Sequence, residues 1–391
     1  MVEAIDQIFV LLKHWAVGFF APSWQPIVSI LLSIVPIILV FALLFALVTV
    51  LERKILGRIQ NRYGPNRVGP CGFLQFAADG IKALTKEDFV PHAADKVVHF
   101  LAPIALVIPV FLAFAVLPIG RNMIAIDLDA GVLFFFAVGA ATELAVFMAG
   151  WSSRNKYSLL GAMRAIAQMI SYELPLILST IAVVMIAGSL STVDIVDRQE
   201  GYLGWLPNWF VFTPWGLAGF ILFMVSAVAE ANRSPFDIPE GESEIVAGYF
   251  LEYSGFKFAL FFLAEYLGMF AASGLAITLF LGGWHAPLPW LQWVPSWAWF
   301  FTKLMAIIFF LIWVRGTLPR LRVDQLMGFA WKFMLPLALL NVAVAGLWRF
   351  LPHGIQRWAV CAALLVVPYV LLARGLSANR QLTKRTYRFA E

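Results

Sequence analysis

Long apolar runs, broken at intervals by short polar stretches, set the pattern of the chain. A run of about 18 or more apolar residues is long enough to span a bilayer. Such runs recur near residues 27–50, 97–118, 131–150, 164–188, 212–231, 258–281, 298–314, 331–350 and 357–373. The pattern predicts an all-α fold, a polytopic membrane helix bundle of about nine transmembrane helices. Two further segments follow a helical stripe and read as amphipathic interfacial helices. The first runs from Ala4 to Phe20, apolar at Ile5, Ile8, Phe9, Leu12, Ala16 and Phe19. The second follows the first span, with Phe73, Phe76, Ala77, Ile81 and Leu84 on one face and Asp79, Lys82, Lys86 and Glu87 off it. It either lies on the lipid surface or forms the lip of a lipid-side entrance.

Composition supports this reading. Of the 391 residues, 61% are hydrophobic and 13% charged, whereas a soluble domain is nearer a quarter charged. No stretch is large enough for a separate soluble domain, so residues 1–391 form a single integral membrane domain. The net charge of +5 lies in short loops, which points to membrane orientation and not to nucleic acid. Arg53, Lys54, Arg58, Arg62, Arg67, Lys82, Lys86 and Lys96 follow span 1. Arg154, Lys156 and Arg164 follow span 3, and Arg315, Arg320, Arg322 and Lys332 follow span 7. Arg374, Arg380, Lys384, Arg385 and Arg388 lie in the tail. The opposite loops are poor in both residue types, and the Trp284–Trp299 loop suits an interfacial aromatic belt. The N-terminus is therefore expected outside and the C-terminus in the cytoplasm. No signal-peptide pattern is expected at the start.

Cys71 and Cys361 are the two cysteines. Their separation leaves no Cys-x-x-Cys and no Cys/His cluster, so no iron–sulfur, haem or zinc site is expected in this chain. The Gly/Pro-rich turn Arg62–Pro70 lacks both phosphate-loop patterns. The second half does not mirror the first, which argues against a repeat-built transporter.

The chemistry that stands out is acidic. Ala229–Tyr253 carries Glu230, Asp237, Glu240, Glu242, Glu244 and Glu252 against one arginine, Arg233. Three more acids lie inside spans, where ionisable residues are costly and mark function. These are Glu143 in span 3, Glu173 in span 4 and Glu265 in span 6. At 1.5 Å rise per residue all three lie roughly 12–15 Å below the basic end, and Glu230 closes span 5 on the same side. The four are expected to form a layer beneath the acidic loop. Each acid could instead be a neutral, hydrogen-bonded part of a bundle core. Burial favours the neutral form of a carboxyl, so such a layer can take up and release protons or act as a charge-sensitive switch. Arg53, Arg315 and Arg322 are candidate partners for the acids beside Arg233.

At these residues the chain resembles the H-subunit family of the proton-translocating NADH:quinone oxidoreductase, respiratory complex I, whose mitochondrial counterpart is NADH dehydrogenase subunit 1. The stretches that carry the resemblance are LERKILGRIQNRYGPNRVGPCGFLQFAADGIKALTKE (51–87), AEANRSPFDIPEGESEIVAGYFLEYSG (229–255), FLAEY (262–266) and RGTLPRLRVDQLMGFAWK (315–332). It covers residues 27–350, the family core, leaving an interfacial helix at 1–26 and an extra span with a basic cytoplasmic tail at 351–391. The resemblance implies a multi-pass subunit of a bacterial inner membrane that has no cofactor of its own and no complete active site. It would help form a quinone chamber and couple reduction of a quinone, such as ubiquinone, to proton translocation. FMN and iron–sulfur clusters would lie in partner subunits; peripheral quinone-site subunits, small membrane subunits, quinone and lipid would be its partners. Residues transferred by motif to the quinone chamber and charge coupling are Glu52, Arg53, Asp79, Arg233, Glu240, Glu242 and Glu244. Those transferred to a proton path are Glu143, Glu173, Glu230 and Glu265. The equivalent subunit of a membrane-bound hydrogenase or formate hydrogenlyase shares part of the pattern and is the alternative.

Overall fold

The computed structural model of the chain describes residues 5–238, 246–352 and 354–378. The apolar runs fold as helices, because in lipid every backbone polar group has to be satisfied within its own segment. In chain order they are α1 (Ile8–Gly18), α2 (Gln25–Ile59), α3 (Gln75–Thr85), α4 (Lys96–Ala113), α5 (Gly131–Ser152), α6 (Lys156–Ala187) and α7 (Thr192–Asp197). They continue as α8 (Pro214–Glu230), α9 (Gly255–Phe280), α10 (Ser296–Thr317), α11 (Val323–Phe329), α12 (Leu335–Phe350) and α13 (Ile355–Ala378). Among the described residues, strands are limited to a two-stranded hairpin, Tyr202–Leu203 against Leu206–Pro207.

Each of the nine expected spans is helical. Among the described residues, seven helical segments are long and apolar enough to cross a membrane. α8, at 17 residues, and the apolar part of α13, Ile355–Pro368, are shorter. One span is not a plain α-helix: α11 passes into α12 through a π-helical turn, Ala330–Met334. Helix starts follow local chemistry. Asp95 accepts from the N–H groups of Val97 and Val98, Asn155 from Tyr157 and Thr213 from Gly216, which satisfies donors that a first turn leaves free.

α9 is the axis of the bundle. Its most apolar window is 67% buried, against 17% for α2. It packs on α2, α3, α4, α8 and α10, while α6 packs on α5, α8 and α12. The far leg of the acidic stretch is also fixed. Gly248–Phe250 forms a buried 3-10 turn against α6, and Ser158 Oγ donates to Tyr249 O at 2.9 Å. The approach is close: a side chain on Gly161 would meet Gly248 Cα at 2.6 Å. Glycine at both positions lets the two backbones touch.

The amphipathic segment after span 1 is α3. It packs against α2 and α9. Its junction to α9 is polar: Ser254 Oγ accepts from Phe89 N and donates to Glu87 O, and Lys257 pairs with Asp88 at 2.7 Å.

Candidate functional site

Two groups of charged side chains gather at the end of the bundle where α8 finishes and α9 begins. The first is an ionic cluster. Glu52, 2% exposed near the end of α2, is reached from three elements. Arg233, in the turn after α8, places Nη1 3.0 Å from both Glu52 oxygens. Tyr266 on α9 donates its hydroxyl to Oε2 at 2.5 Å. Arg315, in the last turn of α10, pairs with Oε1. Arg233 also reaches Glu265 on α9, Nε to Oε1 at 2.7 Å, and lies over the Tyr266 ring, 3.9 Å from its centroid. Two guanidinium groups thus face two carboxylates. A planar guanidinium suits this position because it can pair with one acid, bridge to a second and stack on a ring. Burial works against the charge of Arg233, but Glu265 and Glu52 more than offset it, so its pKa is raised.

Neighbours in sequence part company here. Arg53, next to Glu52, points away and pairs with Asp79 of α3 at 2.5 Å. Gln75 donates to the same carboxylate at 3.0 Å. That pair is largely exposed and ties α3 to α2. Arg322 pairs locally with Asp324, both exposed, and Arg320 lies 4.0 Å from Asp237. Of the three extra arginines expected to meet acids, Arg315 joins the buried cluster, and Arg53 and Arg322 stay at the surface.

The second group is Glu143 on α5, Glu173 on α6 and Glu230 at the end of α8. None of the three forms an ion pair among the described residues. Gly139 leaves room for Glu230: a side chain at Gly139 would begin 3.7 Å from its Oε1. A cavity of about 100 Å³ between α4, α5, α8 and α9 is lined by both Glu230 and Glu265, with Thr142 and Asn232 among mostly apolar neighbours. The expected layer therefore divides. Glu265 belongs to the ionic cluster, the other three acids stand apart from cations, and the cavity touches both groups.

Glu240, Glu242 and Glu244 lie outside the described residues. Of the acids flanking them, Glu252 accepts from Asn155 Nδ2 at 2.6 Å. Sequence reasoning missed Tyr266 and Gln168. Tyr266 follows Glu265 directly, and a hydroxyl beside a buried acid was the available signal. Gln168, a polar side chain within a span, carried the same kind of signal. It is 1% exposed, and its Nε2 donates to Ala229 O at 2.7 Å and Phe236 O at 2.8 Å, at either end of the turn that holds Arg233.

Comparison with known proteins gives a consistent result. A family described as NADH dehydrogenase matches residues 32–346. The H subunit of the NADH-quinone oxidoreductase of Dehalococcoides mccartyi (strain CBDB1) is 51% identical over 294 residues, 75% of this chain and 79% of that protein. The H subunit from Geobacillus kaustophilus is 47% identical over 345 residues, 87% of this chain and 100% of its own length. That of Brevibacillus brevis is 46% identical over 325 residues, 82% of this chain and 94% of that protein.

Proposed function

The chain belongs to the NADH dehydrogenase family, and from that premise we propose that it helps form the quinone chamber of an NADH:quinone oxidoreductase and couples quinone reduction to proton translocation. In this reading the end carrying Arg53, Arg154, Arg315 and Arg320 faces the cytoplasm of a bacterial inner membrane, where partner subunits holding FMN and iron–sulfur clusters dock. The N-terminus faces the periplasm. Electrons reach quinone from a cluster in a partner, and this chain supplies walls and charges.

The observation that carries the proposal is the double reach of Arg233. It grips Glu52 on α2, the helix that meets α3, and Glu265 on α9. Glu265 shares a cavity with Glu230. A change of charge near α2 and α3 alters the balance at Arg233, and hence at Glu265. The acids beyond the cavity feel it because no cation among the described residues neutralises them locally. Glu143, Glu173 and Glu230 cannot all carry full charge at low cost, so a shift at Glu265 moves a proton among them. Glu240, Glu242 and Glu244, near the same turn in sequence, serve the chamber side, with Arg53 and Asp79 holding its lip.

The test is Glu230→Gln and, separately, Glu265→Gln in the assembled complex, with quinone reductase activity and proton pumping measured in membrane vesicles. Loss of pumping in either variant is expected, with NADH oxidation through an artificial acceptor intact. Unchanged pumping and quinone reduction in both would remove these acids from the path.

A further inference from the structure

The turn that carries Arg233 is held from behind by a residue to which the coupling scheme gives no role. Gln168 lies on α6, 1% exposed. Its Nε2 lies 2.7 Å from Ala229 O, 2.8 Å from Phe236 O and 3.2 Å from Asn232 Oδ1. The two carbonyls bracket Arg233. The segment between them is a tight turn with Asn232 in the left-handed region at φ +51°. Within it, Arg233 N returns to Val228 O at 3.2 Å and Phe236 N to Arg233 O at 2.8 Å. One amide group therefore closes both ends of the loop whose middle residue is the bridge of the ionic cluster.

The chemistry selects an amide. A neutral NH2 can donate to two carbonyls at once. A carboxylate at this position would face oxygens, and an apolar side chain would leave buried carbonyls without a donor, which is costly. The grip is reinforced one helical turn later, on the same face. Tyr172 packs on the Phe236 ring with centroids 5.6 Å apart and donates to Leu326 O of α11 at 3.0 Å. The helix that makes these contacts also carries Glu173, so one rigid element positions an acid on one side and the Arg233 turn on the other.

We propose that Gln168 is a positioning residue of this site. It sets the turn so that Arg233 spans Glu52 and Glu265, while Glu230, next to the clamped Ala229, stays at the cavity. It acts through Arg233 and touches neither quinone nor a transferred proton. The inference rests on the functional reading above and adds a residue to it.

Two variants of similar shape test it in the intact complex, with assembly read from flavin content per membrane protein. Gln168→Met keeps the length and donates nothing. Assembly is expected to hold, with kcat of coupled quinone reduction about tenfold lower and the quinone KM within about twofold. Gln168→Glu can donate one hydrogen bond when protonated and none when ionised. Its kcat relative to the parent enzyme is expected to fall as pH rises and to recover when pH is lowered again. The charged groups on the elements packed here are Lys156, Arg164 and Glu173 of α6, Glu143 of α5, Glu230 of α8, Arg233 and Asp237 of the turn, Arg322 before α11 and Asp324 within it. All are present in the parent enzyme, so the ratio isolates position 168. An unchanged kcat in Gln168→Met overturns the inference. So does a Gln168→Glu ratio that is flat with pH, or failure of both variants to assemble, which would assign Gln168 to folding. If Glu230→Gln and Glu265→Gln are silent, the functional reading fails first. If they abolish coupling and Gln168→Met does not, the Gln168 inference alone fails.

Discussion

The ionic cluster and the acid group use the same side chain for opposite ends. Around Glu52 and Glu265, each carboxylate meets a guanidinium within hydrogen-bond distance, and Tyr266 takes up a further lone pair. Glu143, Glu173 and Glu230 form no ion pair among the described residues, and Glu230 lines a cavity with mostly apolar walls. A guanidinium partner favours the charged form of a carboxyl, while burial favours the neutral one. Carboxyls placed near one another disfavour each other's charged forms. The lesson is that the neighbours of an acid inside a membrane protein, and not the acid itself, set the balance between its charged and neutral forms.

Four variants sharpen that contrast, in falling order of effect. Arg233→Ala should be the most damaging, since it leaves two buried carboxylates with Arg315 as their remaining cation. Removing one partner of a buried pair costs about 3–5 kcal/mol. A lower midpoint of thermal inactivation and a weaker response to quinone and to quinone-site inhibitors are expected. An unmoved midpoint would show that the cluster is not held by charge. Tyr266→Phe removes a single hydrogen bond to an ionised carboxylate, a loss of about 1.5–3 kcal/mol, visible as a smaller shift in the same assay. Glu230→Gln breaks no ion pair, so its midpoint should stay at the parent value while pumping falls; a shift as large as that of Arg233→Ala would erase the distinction between the two groups. Asp79→Asn, in the exposed pair with Arg53, should matter least, by about 0–1 kcal/mol. Its effect should vanish at high salt, where exposed charges are screened.

Much of the architecture was legible in the order of the residues. Nine apolar runs became nine helices, and both amphipathic stripes became α1 and α3. Helix formation in lipid follows from local backbone needs, so a linear pattern suffices. The site was legible in part. Arg233, Glu265 and Glu230 stood out as charges in an apolar chain and Glu52 through the family motif, and the structure brings them to one end of the bundle. Their pairing was not legible. Glu52 and Arg53 are adjacent, yet successive residues on a helix point about 100° apart, so one enters the bundle and the other meets α3. Arg315 and Arg322 looked equivalent as members of one basic loop. The first ends α10 facing Glu52, whereas the second precedes α11 at the surface.

A helical membrane bundle could be read from the order of residues, and acids at a common depth expected from it, because hydropathy and helical rise are properties of single segments. Which of those acids meet a cation emerged from the packed helices alone. That depends on Arg233 and Arg315, which lie 181 and 263 residues from Glu52, and on the turn that Gln168 grips from a neighbouring helix. An electrostatic environment is a sum over neighbours in space, and in a bundle those neighbours come from helices far apart along the chain.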